Sequence, residues 1–135
     1  MPSRLFPNVL STDLPRSRHW YVSLLGFEAE YDSDWFVHLR SPEEELVTLG
    51  ILAVDQDIVN PAMAERPTGG VITVVVDDVD AVHAVAQAAG ATIVEAPRNL
   101  FYGQRRLLLA DPDGQIVDVS SPCDPDPDWL ASLGG

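Results

Sequence analysis

The chain has one cysteine, Cys123, in 135 residues. An internal disulfide needs two cysteines and a zinc–thiolate site needs several, so both are excluded. Long apolar runs are missing: none approaches the roughly 20 residues that span a bilayer. The opening "MPSRLFPNVL" lacks the basic, then apolar, then small-residue layout of an export signal. A cytoplasmic protein with no membrane partner is expected. Basic residues are scarce, eight against twenty-one acidic, for a net charge of −13. That field repels polyanions, so no nucleic-acid partner is expected. It serves solubility, or it draws a cationic small molecule; the composition leaves both open. No phosphate-cradling glycine loop and no Ser-His-Asp or Cys-His arrangement is visible. Cys123 follows Pro122 without an evident activating base.

What is present is a pattern that occurs twice. Hydrophobic content of 46% suits one folded domain, or two small modules sharing a core. "LFPNVLS" (5–11) alternates as a strand does. Asp13 then takes an N-cap position, Pro15 falls in the first helical turn, and Leu14, Ser17, Tyr21 and Leu24 share one helical face. Gly26 closes that helix. Three strands follow, in "FEAEYDS", "WFVHLRS" and "LVTLGILAV". After the Pro- and Asn-containing loop 55–70 the order repeats. "VITVVV" is a strand, Asp77 and Asp78 open a helix ending at Gly90, and "ATIVEAP", "RRLLLAD" and "QIVDVSSP" are strands. Asp13 corresponds to Asp78, Gly26 to Gly90, and the "SPEEE" turn to "DPDGQ". The expected fold is α+β, a single domain over 1–122 made of two βαβββ modules (about 5–54 and 71–121) with a tail at 123–135.

The segments "STDLPRSRHWYVSLLGFEAEY", "VVVDDVDAVHAVAQAAGATIVEAP", "FYGQRR" and "ADPDGQIVDV" resemble the glyoxalase/bleomycin-resistance/extradiol-dioxygenase family, the vicinal-oxygen-chelate superfamily. The resemblance covers residues 5–122. It implies paired βαβββ modules whose mixed sheets curl around a cleft, and a homodimer. It does not settle an activity, because the fold hosts isomerases, dioxygenases, transferases and drug-binding proteins.

Metal-dependent members of that family carry His, Glu or Gln at four strand positions. Here these fall on Phe6, Thr48, Val71 and Asp118. A phenyl ring and an isopropyl group cannot ligate a cation, and a hydroxyl ligates poorly. No metal and no other cofactor is therefore expected. His19 and His83 fall inside helices. Alternation puts Phe36, His38 and Arg40 on one strand face, with Trp35, Val37 and Leu39 on the other, the apolar face expected to pack against a helix.

The remaining candidates describe a ligand pocket. Phe6 and Asn8 share a parity on the first strand, Phe36 and His38 on the third, and Thr48 and Asp118 hold the former ligand positions. The segment "NLFYGQRR" adds Phe101, Tyr102 and Arg105, the last from an aromatic-Gly-x-Arg run that the resemblance places near the ligand. Met63 sits in loop 55–70, a candidate wall or lid. Asp118, if buried, needs an arginine or a ligand cation as its partner. Aromatic faces with few polar groups suit a flat or extended organic ligand. The expected function is metal-independent small-molecule binding, as in sequestration of an aromatic or cationic antibiotic or metabolite. The alternative is an enzyme (lyase, isomerase or dioxygenase) that uses Asp118, His38 or Tyr102 as acid or base, or a metal whose ligands lie elsewhere.

Overall fold

The computed structural model describes residues 2, 4–63 and 70–134. The described residues form two compact units. The first has the order β1 (Asn8–Ser11), α1 (Leu14–Leu25), β2 (Glu28–Asp32), β3 (Phe36–Arg40) and β4 (Thr48–Ala53). The second repeats it with β5 (Ile72–Val75), α2 (Val79–Ala88), β6 (Thr92–Asn99), β7 (Gln104–Ala110) and β8 (Ile116–Pro122), then adds α3 (Pro127–Leu133). The strand orders are β1-β4-β3-β2 and β5-β8-β7-β6. In each sheet the first strand runs parallel to the last and the other pairs are antiparallel. This is the expected α+β architecture of two βαβββ modules.

In the first unit, Asp13 caps α1 by accepting a hydrogen bond from the Arg16 amide at 3.1 Å. Gly26 ends the helix at φ 77°, a left-handed conformation that side chains other than glycine adopt with strain. Leu14, Ser17, Tyr21 and Leu24 are all buried, as their spacing requires. Val37 and Leu39 turn to the same side as Leu49 and Ile51, which are their register partners, and all four are essentially inaccessible. The turn Pro112–Gln115 groups with this unit, where Asp113 accepts from the Thr12 and Ser17 hydroxyls and from Arg16. The first strand starts at Asn8 rather than at Leu5. Pro7 has no N–H to extend the ladder, although its carbonyl still accepts from Gly50 at 2.9 Å.

The second unit follows the same logic. Leu107, Leu109, Val117 and Val119 are fully buried on one sheet face, together with Val79 and Ala86 of α2. Asp78 caps α2 as expected, whereas Ala89 is the C-cap and Gly90, at φ 69°, lies one residue beyond it. The tail is not merely an extension. Its helix α3 is capped by Asp126, whose amide is also bonded to the Phe101 carbonyl at 2.9 Å. Of loop 55–70, the candidate wall or lid, residues 64–69 lie outside the described residues.

Each core carries its own unit. Leu39→Ala and Leu109→Ala are each expected to cost about 2–5 kcal/mol in urea unfolding. Leu46→Ala, at a side chain 82% exposed, is expected to change stability by less than about 0.5 kcal/mol.

Candidate functional site

Because Val37 and Leu39 are turned inward, Phe36, His38 and Arg40 occupy the opposite face of the first sheet. Register places Thr48, Gly50 and Leu52 of β4 beside them, and Asn8 beside Gly50. Five of the residues expected at a ligand site meet here: Phe6, Asn8, Phe36, His38 and Thr48. The Phe6 and His38 rings lie 5.2 Å apart, and His38 stacks on Phe36 at 6.1 Å with 19° between planes. Trp35 and Tyr31 extend the ring cluster around Phe36 at 5.4 and 6.3 Å. Gly50 is what lets the face close up. A Cβ there would lie 1.9 Å from Asn8 Oδ1 and 2.9 Å from Phe36 Cε2.

Two residues that sequence reasoning missed fix the polar edge of this face. Arg4 Nη2 donates to Thr48 Oγ1 and to His38 Nε2, each at 3.2 Å, and its guanidinium sits 4.9 Å over the Phe6 ring. Glu30 Oε2 lies 3.2 Å from His38 Nδ1. A guanidinium only donates, so Nε2 is the accepting nitrogen and the neutral ring carries its proton on Nδ1, donated to Glu30. Arg4 shares the parity of Phe6 and Asn8, which was a usable signal. Glu30 had none, because a bulge between Ala29 and Tyr31 shifts the register beside His38.

On the second sheet, Asp118 pairs in register with Thr73 and Leu108. The Thr73 hydroxyl donates to Asp118 Oδ2 at 3.3 Å, while Oδ1 is buried without a partner. Of the two partners considered for it, an arginine or a ligand cation, no arginine bonds to it among the described residues. Arg106 and Gln104 share its face, and Arg106 Nε and Gln104 Oε1 are likewise buried and unpartnered. All three unsatisfied buried side-chain atoms found among the described residues thus lie on this one sheet face. Arg105 does not join them. Alternation turns it to the α2 side, where its fork grips Asp80 at 2.9 and 3.0 Å and a third nitrogen donates to Asn99.

Phe101 and Tyr102 sit apart from Asp118, at the β6–β7 turn, 57% and 43% exposed. Phe101 packs edge-on against Tyr102 and against Trp129 of α3. With Arg98, Leu100, Arg106 and Pro125 they line an open cavity of about 780 Å³. Met63 is exposed, with its amide bonded to the Asn60 carbonyl, and it joins none of these groups.

The side chains do not fit a divalent cation. In the first unit the two relevant positions offer a phenyl ring and a hydroxyl already engaged by a guanidinium. In the second they offer Val71 and a single carboxylate. No three His, Cys, Asp or Glu side chains converge among the described residues.

Charge pairing on the second unit sets a pH dependence. Hydrogen bonds from Arg98 and then Arg106 hold Glu95 below its ordinary value of 4.5, and Arg105 does the same for Asp80. A carboxylate depressed in the folded state contributes stability above its unfolded value and loses it as the pH falls through the folded one. Glu95→Gln is therefore expected to lower stability slightly near neutrality, where the paired carboxylate contributes, and to lose that difference from wild type as the pH falls below about 4.5, measured by urea unfolding across pH. For His38, nitrogen-15 NMR is expected to show the neutral ring with its proton on Nδ1. Glu30→Gln is expected to shift the ring population toward the other tautomer.

Comparison with known proteins follows the geometry. A family model described as the Glyoxalase/Bleomycin resistance protein/Dioxygenase superfamily matches residues 7–119. No curated protein matches the sequence. Among solved structures, a glyoxalase-related enzyme from Fulvimarina pelagi is 19% identical, with TM-score 0.74, covering 89% of this chain and 88% of its own. A glyoxalase/bleomycin resistance protein/dioxygenase family enzyme from Burkholderia phytofirmans PsJN is 22% identical, with TM-score 0.73 and coverages of 87% and 96%. TnmS3, an antibiotic binding protein from Streptomyces sp. CB03234, is 23% identical, with TM-score 0.71 and coverages of 90% and 97%. At these identities the likeness speaks for the fold alone. No helix among the described residues is long and apolar enough to cross a membrane. With the model spanning most of its length and the duplicated βαβββ topology matching, the chain belongs to the Glyoxalase/Bleomycin resistance protein/Dioxygenase superfamily.

Proposed function

We propose that this protein binds a small aromatic molecule by ring stacking and a few fixed hydrogen bonds, without a metal ion. The observation that carries this reading is the Phe6–His38–Phe36 ring cluster, with Asn8, Thr48 and Arg4 as polar neighbours on one sheet face. Ring pairs of this spacing are worth about 0.5–1.5 kcal/mol each beyond buried area, so a stacked ligand gains specific affinity there. The donor chemistry at the four former ligand positions supports a metal-free mode. A structural neighbour that binds an antibiotic supports binding and sequestration as the role. Phe101 and Tyr102, on their own cavity, belong to a separate surface in this reading, and Arg105 to the structural support of α2.

The same reading takes the protein as a cytoplasmic homodimer. Val71 and Val75, 59% and 63% exposed at the edge strand β5, offer apolar surface for a second copy. A second reading, a metal-independent enzyme, draws on Asp118. A buried carboxylate oxygen without a partner is costly, and acid–base work is one reason to retain it. The enzyme neighbours fit that reading as well.

A thermal-shift screen of aromatic antibiotics and metabolites tests the proposal. A ligand at one hundred times its Kd stabilises by about 2.7 kcal/mol, which moves the midpoint by several degrees. That shift is expected to survive EDTA and to shrink strongly in Phe36→Ala, with the ligand recovered unaltered by mass spectrometry. Conversion of the ligand would move the assignment to the enzyme reading. A shift abolished by EDTA would remove the metal-free mode.

A further inference from the structure

The sheet face assigned above to ring stacking also says which charge its ligand carries. We infer that Arg4 is an anion anchor, and that the first-sheet face takes an aromatic carboxylate or an aromatic anion of like geometry. This rests on the reading that rings stack on Phe6 and Phe36.

All eight basic residues of the chain are arginines, against twenty-one acids. Seven are described. Six of them have a carboxylate oxygen within 4 Å: Arg16, Arg18, Arg40, Arg98, Arg105 and Arg106. Among the described residues, Arg4 alone is held only by neutral acceptors, His38 Nε2 and Thr48 Oγ1. In so acidic a protein an arginine with no carboxylate in contact is conspicuous. Glu30, the acid nearest in this network, is bonded to the far nitrogen of His38 instead.

That arrangement does two things. Glu30 accepts a hydrogen bond from Nδ1–H, so Nε2 is left to accept, and the guanidinium is held by one nitrogen over the Phe6 ring. Its Nε and Nη1 donors make no hydrogen bond among the described residues, and the side chain is exposed. Planar guanidinium edges match a carboxylate bidentately. A flat acid lying along Phe6 and Phe36 would present its carboxylate to that edge. Arg4 and the rings are the binding residues; His38, Thr48 and Glu30 position Arg4.

Three probes of one shape separate the possibilities: 2-naphthoate, the neutral 2-naphthamide and the cationic 2-naphthamidine, titrated by calorimetry into wild type and Arg4→Gln. Naphthoate is expected to bind wild type on the order of tenfold more tightly than naphthamide, the effect of one charge-assisted contact. Arg4→Gln is expected to erase that preference, so that naphthoate and naphthamide bind the variant alike. Naphthoate is also expected to move the His38 ring nitrogen signals. No preference for naphthoate, or a preference that survives Arg4→Gln, overturns the inference while amide binding leaves the ring-stacking reading standing. Tighter binding of naphthamidine in Arg4→Gln overturns it too, and makes Arg4 the occupant of a cation site. If none of the three probes binds, both readings fall.

Discussion

The inward rotation of Val37 and Leu39 is the constraint on which the first-sheet site depends. Both side chains are removed from water against the α1 side of the sheet, together with Leu49 and Ile51. A strand has a period of two, so burying one set of residues exposes the other to the opposite face. Phe36 and His38 are thereby committed to stand side by side, whatever their own preferences. A slip of one residue would bury a histidine and an arginine and expose two aliphatic chains. The core thus enforces the register that assembles the rings.

The duplicated topology has been put to different chemical uses. Both units set a helix against one face of a β-α-β-β-β sheet and leave the other face to carry polar and aromatic groups. On the first sheet those groups are joined in one chain, from Glu30 through His38 to Arg4 and Thr48. On the second sheet Asp118, Arg106 and Gln104 each keep a buried atom unpaired. Unpaired buried polar atoms are scarce in folded proteins because each costs about 1–3 kcal/mol. Their collection on one face, rather than scatter through the core, sets that face apart from the rest of the second unit.

The elements and their order were legible because they rest on local chemistry. Asp13 and Asp78 cap helices in both cases, and Leu14, Ser17, Tyr21 and Leu24 pack as their spacing demands. The ring face was legible for the same reason: parity along β1 and β3 needs no tertiary knowledge. Pairing across strands was not. The partner of Asp118 is a threonine, because parallel registry sets Thr73 opposite it, and no pattern along β8 shows that. Arg105 was placed near a ligand by resemblance, yet its parity with Leu107 and Leu109 turns it toward Asp80. Its neighbour Arg106 is the one that shares the face of Asp118. Glu30 reaches His38 through a bulge, a feature that alternation cannot foretell.

The sign of the net charge was the strongest compositional feature, and it points the other way from Arg4. The two act over different distances. A field of many acids reaches only about 8–10 Å into solution at physiological salt, and it governs how often an ion arrives. Affinity is set at contact, where one oriented guanidinium with open donors meets the ligand directly. Six of the described arginines have carboxylates at hand and spend their charge inside the fold. Only where a carboxylate is kept out of reach does a cation remain to act on something else. Glu30 meets that condition by bonding to the far side of His38, so it tunes the anchor without neutralising it. An acidic protein can therefore hold an acidic ligand, provided one arginine is shielded from the rest of its own chain.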